Sequence, residues 1–395
     1  MSGDEATRLD ETHVVEAARA RAELQDFGDE AFREPMRLLL DSLDREADLN
    51  AGGRMAQRAR VEDILVNRLR AEDHFRRSPE ILEQQLAPPI VIVGLSRTGT
   101  TMLQRLLASD PDAYAVLWWE NRNPAPLPGH VWGGHDARID DAVEQVRLIL
   151  EAAPQLASIH PWDPEGPDEE ILLLEHSFYS TTPESMANVP SYRAWLRTRD
   201  QTPGYRYLER LLQLLQWQKR RAGSEAARWV LKTPHHLGYL DVLFRVFPET
   251  RVIQTHRDPL ETIPSVASMY HALWSLACDD PDPLEVGRQC AEHYAQALAR
   301  CLEVRDAMGP ERFVDVDYRA VVRDPLQEVR RIYEQLGSSL TSAAEAAMTE
   351  WIRTHARDTR PAHDYTLEKF GYSERGIARD FAAYRERFIL PGSRS

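Results

Sequence analysis

The stretch Pro89-Ile90-Val91-Ile92-Val93-Gly94-Leu95-Ser96-Arg97-Thr98-Gly99-Thr100-Thr101-Met102 decides the fold. Its first half is short, continuously apolar and β-branched, the look of a strand buried on both faces of a parallel sheet. A tight turn between Gly94 and Gly99 follows, and a helix is expected from Thr100 to Ala108. Backbone N–H groups of such a turn and of the helix N-terminus converge on one point, a cradle for a phosphate. The hydroxyls of Thr100 and Thr101 and the fixed charge of Arg97 add donors.

Gly94 and Gly99 have the glycine spacing of a Walker A loop, but Thr100-Thr101 stands where that loop carries Lys-Ser/Thr. A magnesium–ATP transferase of the nucleotide-kinase kind needs that Lys and an acidic strand end. Val314-Asp315-Val316-Asp317 offers the second without the first. The cation here is Arg97, inside the loop.

Outward from this unit, Arg228–Lys232 and Arg251–Thr255 have the same strand texture, and Arg312–Val316 is a fourth candidate. Helices are expected at 236–247 and 260–277, after the second and third strands. Strands alternating with helices imply a parallel sheet and an α/β fold. Upstream, from Val14 to about Glu83, apolar positions such as Ile64, Leu65 and Leu69 recur every three to four residues, with breaks at Pro35 and Asn50-Ala51-Gly52-Gly53. The expected organisation is a helical region over 1–87 and an α/β domain over 88–395. An irregular insertion at about 118–203, rich in Trp, Pro, Gly and His, is expected to bind an acceptor. Helices are expected in it at 137–152 and 168–178, and the helix 204–222 that follows has a core-facing stripe.

The chain has 395 residues, 43 % of them hydrophobic, enough for a substantial core; 63 acidic residues against 48 basic ones set the net charge at −15. That excess argues against a nucleic-acid binder, because neutralising a phosphate polymer needs a basic face. Over half of it sits in residues 1–50, which hold 14 acidic and six basic side chains. A local basic site downstream is therefore compatible with the balance. Cys278, Cys290 and Cys301 have neither disulfide-framework nor zinc spacing, and the last two suit a buried helical stripe. Met1–Glu5 lacks a signal-peptide pattern and no apolar run reaches the ~20 residues of a membrane span. A soluble, cytoplasmic protein without a transmembrane segment is expected.

Gly94–Met102 resembles the loop of the sulfotransferases that binds the 5′-phosphosulfate of 3′-phosphoadenosine 5′-phosphosulfate (PAPS), whose form is a strand followed by Lys/Arg-Ser/Thr-Gly-Thr-Thr. Two further matches follow in the family's order. Val252–Pro259 carries Arg257 at a strand end, with Ser265 eight residues later, similar to the family's 3′-phosphate pair. Asp317–Pro325, running on to Ile332 and Leu336-Gly337, is similar to the segment whose tyrosine, here Tyr318, packs near the adenine; a core tyrosine after a strand is the other reading. The tail Tyr365–Phe388 resembles the bacterial branch, and the loop resembles the protein-tyrosine branch.

The resemblance implies a P-loop-like three-layer fold with a central parallel sheet, plus the N-terminal helical layer and helical insertions. It implies PAPS as co-substrate with no metal required, and an acceptor hydroxyl on a small molecule, lipid or glycan. The donor-binding residues it implies are Ser96, Arg97, Thr98, Gly99, Thr100, Thr101, Arg257, Ser265 and Tyr318; Ser96 stands where many relatives have Pro. The catalytic residues implied are Arg97 on the leaving oxygen, Lys232 of the Lys-x-Pro run on the sulfuryl group, and Glu120 as base, with His130, His135 and His236 as challengers. Trp118, Trp119 and Trp132 are expected to shape an apolar acceptor pocket. A kinase-like transferase and a catalytically inactive nucleotide-binding relative are the rival readings. Whether the N-terminal helices cover the site or pair two chains as a homodimer stays open.

Overall fold

The computed structural model describes residues 7–158, 160–355 and 366–390. Met1–Glu5, on which the reading of the N-terminus rests, and Tyr365, where the tail resemblance starts, lie outside them.

Among the described residues five strands form one parallel sheet: β1 (Pro89–Val93), β2 (Ala113–Ala115), β3 (Arg228–Lys232), β4 (Arg251–His256) and β5 (Phe313–Asp317), in the spatial order β2-β3-β1-β4-β5. The apolar run of β1 is read out on both faces. Val91 and Val93 pack with Leu231, Val252, Leu208 and Leu212 on one side. Ile92 packs with Val230, Ile253, Val314, Leu103 and Leu106 on the other. Placing β1 centrally has a functional consequence. The chain leaves β1 toward β2 on one side and later enters β4 on the other, so the crevice over β1 is a topological switch point, where α/β folds bind ligands.

The helical N-terminus is α1 (Glu11–Ala22), α2 (Arg33–Arg45) and α3 (Ala51–Arg77). Its core is shared: Met36, Leu40, Leu65 and Leu69 pack with Phe178, Tyr192 and Leu196 from the insertion. Arg68 fixes the joint, donating to the carbonyls of Phe27, Asp29 and His176 with its guanidinium 4.0 Å from the Tyr207 ring centroid.

The break expected at Asn50-Ala51-Gly52-Gly53 is present: α2 ends at Arg45 and Asn50 caps α3, where a Cβ on Gly53 would lie 2.1 Å from the Ala277 carbonyl oxygen. The structure departs from the sequence expectations in three places. Pro35 does not itself end a helix but sits in the first turn of α2, where no N–H is needed. The helix expected at 236–247 is a 3-10 turn, Pro234–Gly238, followed by a short helix, Leu240–Val246. The helix expected at 168–178 shrinks to Ile171–Glu175, because the three carboxylates before it bond elsewhere.

Candidate active site

β1 delivers its loop into α4 (Thr100–Ala108), whose N-cap is Gly99 at φ 81°. Arg97 is also left-handed, at φ 73°, a conformation unusual for a side-chain-bearing residue and found where surroundings impose it. The surroundings are visible. Thr98 Oγ1 donates to the Leu95 carbonyl (2.6 Å) and shares a 2.7 Å hydrogen bond with Thr255 Oγ1 on β4. A Cβ on Gly94 would fall 2.3 Å from that same Thr255 hydroxyl, so only glycine lets loop and strand approach. Ser96, in place of proline, is tied instead by a 2.9 Å hydrogen bond between its Oγ and Tyr294 OH.

Arg257, directly after β4, donates from Nη1 to the Arg97 carbonyl (2.9 Å) and pairs with Glu261. Its guanidinium lies 4.4 Å from the Tyr318 ring centroid. Tyr318 in turn borders Gly99: a Cβ there would lie 2.9 Å from ring atom Cδ2. The loop, Arg257 and Tyr318 thus form one contact group. Ser265 is buried in the helix Pro259–Trp274 that Arg257 precedes.

On the other flank Lys232 ends β3, wholly buried, with Nζ 3.1 Å from Thr101 Oγ1 and ion-paired to Glu169. Glu169 is the middle of three consecutive carboxylates with three destinations. Asp168 accepts from His160 Nε2 (2.9 Å), while its carbonyl accepts from the buried Gln104 of α4. Burial pushes the Asp168 carboxyl upward, but His160 and the nearby Lys232 hold it below the usual carboxylate value. Glu170 accepts the Lys232 backbone N–H (2.7 Å) and is bonded to His236 Nε2 (2.8 Å), whose Nδ1 meets Tyr205 OH at 2.6 Å. That buried chain sets the end of β3, and with it the direction of Lys232.

Hydrogen bonds and ring contacts thus join the loop 96–101, Lys232, Arg257 and Tyr318, while Glu120 is bonded to other partners. Glu120, on α5 (Trp118–Arg122), closes its own helix start by accepting the Leu117 N–H (2.9 Å), and its other oxygen pairs with Lys219 Nζ at 2.5 Å. Both oxygens are engaged and the residue is buried. His236 is held in the Glu170 chain with no exposure. His135 pairs at the surface with Asp140, and His130 stands edge-on to Trp132, 3.8 Å from Asp136. The tryptophans are packing partners: Trp118 packs with Ala142 and Val146, joined by Trp119 and Trp162, while Trp132 packs on Trp217.

Asp168, Glu169 and Glu170 were not legible as site residues, since acidic residues opening an expected helix read as its solvated first turn. Glu120→Gln is expected to lower stability by about 3 kcal/mol, because Lys219 stays largely buried without its counter-charge. The urea midpoint reads this, and adding Lys219→Met should recover most of it. Lost turnover with an unchanged midpoint would return Glu120 to the chemistry.

Residues 88–342 match the model of the sulfotransferase family. The chain is 24 % identical over 294 residues to omega-hydroxy-beta-dihydromenaquinone-9 sulfotransferase Stf3 of Mycobacterium bovis and of Mycobacterium tuberculosis, covering 71 % of each chain. The fold superposes on sulfotransferase STF9 from Mycobacterium avium with a TM-score of 0.86 at 28 % identity, covering 96 % of this chain and 97 % of that one. Sulfotransferase STF1 from Mycobacterium tuberculosis H37Rv gives 0.82 at 29 % identity, with 94 % and 98 % covered.

Proposed function

The chain belongs to the sulfotransferase family and is an enzyme of that class, and we propose that it moves a sulfuryl group from PAPS to an acceptor hydroxyl, leaving 3′,5′-adenosine bisphosphate. One observation carries the donor assignment: Arg97, Lys232 and Arg257 belong to the carboxyl ends of three adjacent strands, around a loop that opens a helix. The donor set suits a nucleotide with two anionic ends. Thr100 and Thr101 add hydroxyls at the α4 N-terminus, and Gly99 leaves the Tyr318 ring against the loop.

In this reading Ser96–Thr101 hold the 5′-phosphosulfate, Arg257 and Ser265 hold the 3′-phosphate, and Tyr318 flanks the adenine. When bound, PAPS supplies the activated sulfuryl group. Arg97, charged at every relevant pH, stabilises the leaving oxygen. Lys232, held from behind by Glu170, steadies the sulfuryl oxygens. Positioning and charge are the main requirements of such a displacement.

For the acceptor, the insertion 118–203 supplies the facing wall. The Stf3 relatives are named for an omega-hydroxy-beta-dihydromenaquinone, which supports a hydroxyl-bearing small molecule or lipid here. Among the described residues no helix is long and apolar enough to cross a membrane. We place the reaction in the cytoplasm, a setting that suits three buried, free cysteines.

Calorimetry with 3′,5′-adenosine bisphosphate, ADP and ATP tests the donor. The bisphosphate should bind at least tenfold tighter than ADP, and Arg257→Ala should erase most of that preference, since a guanidinium–phosphate contact contributes about 1.5–3 kcal/mol. Tight ATP binding indifferent to a 3′-phosphate would overturn the reading.

A further inference from the structure

Transfer to a hydroxyl needs a group that takes its proton, on the acceptor's side and beside the cation that meets the sulfuryl group. That demand can be put to each carboxylate and histidine near Lys232. Glu120 is committed to Lys219 and to its own helix start. Glu170 and His236 are wholly buried and bonded to each other. Asp168 is buried and holds His160. Glu169 differs from all of these. It belongs to the insertion, its side chain is 24 % exposed, and it touches Lys232 Nζ.

We propose that Glu169 is the carboxylate that accepts the acceptor's proton, and that Lys232 Nζ, shared between Glu169 and Thr101 in the free chain, exchanges Glu169 for the donor's anion. The inference rests on the donor reading above. Once the donor's anion takes Lys232, the partly exposed Glu169 carboxylate is left to face the acceptor. As the acceptor oxygen forms its bond to sulfur, its proton passes to a Glu169 oxygen and then to water. The bond from sulfur to the bridging oxygen breaks, and its electron pair leaves with the nucleotide phosphate. Charge and atoms balance with no further reactant.

Two readouts of opposite sign follow for Glu169→Gln. Sulfuryl transfer from labelled PAPS to decanol, or to water, should fall by about 10²–10⁴. Calorimetric affinity for 3′,5′-adenosine bisphosphate should rise, by about three- to tenfold, because a competitor for Lys232 has lost its charge. A merely structural glutamate would lower both. Glu169→Asp, which keeps the carboxylate, should recover at least tenfold of the lost rate and covers the case in which the Gln variant folds poorly. Turnover within threefold of wild type in folded Glu169→Gln overturns the inference, as does its loss only in His160→Gln. If the wild type itself shows no preference for the bisphosphate, the donor reading fails first; the two failures are separable.

Discussion

Lys232→Met should lower sulfuryl transfer by about three orders of magnitude, the size of effect that follows from removing a charge aimed at a developing anion in a buried site. The side chain is wholly buried, and its ammonium is satisfied by Thr101 Oγ1 and Glu169. Methionine keeps the aliphatic volume, so the packing around β3 has no reason to collapse. What it leaves is a Glu169 carboxylate without its cation. That half-broken pair should reduce stability by about 3 kcal/mol. Adding Glu169→Gln removes the orphaned charge and should restore the thermal midpoint while leaving turnover at the low level. Stability then follows the pair, and the single Lys232→Met variant reads the share of the ammonium, since the double variant lacks the proposed base as well. Transfer of labelled sulfuryl, bisphosphate calorimetry and a thermal melt read the three quantities. A Lys232→Met enzyme within tenfold of wild type would remove Lys232 from the chemistry.

The parts of this site that were legible in the sequence are those that depend on neighbours in the chain. The run Pro89–Val93 announced a buried strand, and Thr100–Ala108, Ala137–Ala152 and Arg228–Lys232 have the bounds their local patterns gave. The cations were legible because strand ends are where α/β sites collect. β2 was not: three residues, Ala113-Tyr114-Ala115, carry too little pattern and exist as a strand only through pairing with β3. Pairing was the other gap. Glu169 meets Lys232 across 63 positions and Glu120 meets Lys219 across 99, and no local spacing reports either partner. Glu120 was suggested as base by its order after the loop arginine and by the tryptophans beside it. Which carboxylate reaches which cation is a tertiary fact.

Gly99→Val should reduce affinity for 3′,5′-adenosine bisphosphate by about 100-fold or more, for two separable reasons. The backbone there is left-handed, φ 81°, a region that disfavours side chains by about 1–2 kcal/mol and β-branched ones by more. A Cβ would also lie 2.9 Å from Tyr318 Cδ2, inside contact distance, so the ring must move. Tyr318 carries the Arg257 guanidinium against its face, and Arg257 holds the Arg97 carbonyl. A displaced ring therefore disturbs both anion-binding ends at once. Gly129 provides the comparison: its φ is also 81°, and a Cβ there would meet nothing within 4 Å. Gly129→Val thus carries the conformational penalty without the collision. Gly99→Val should lower the thermal midpoint at least as far as Gly129→Val does, and only Gly99→Val should lose nucleotide. Retained affinity in a folded Gly99→Val chain would mean that the loop tolerates a side chain at its tightest point, and that the contact between Tyr318 and the loop has no part in holding the donor.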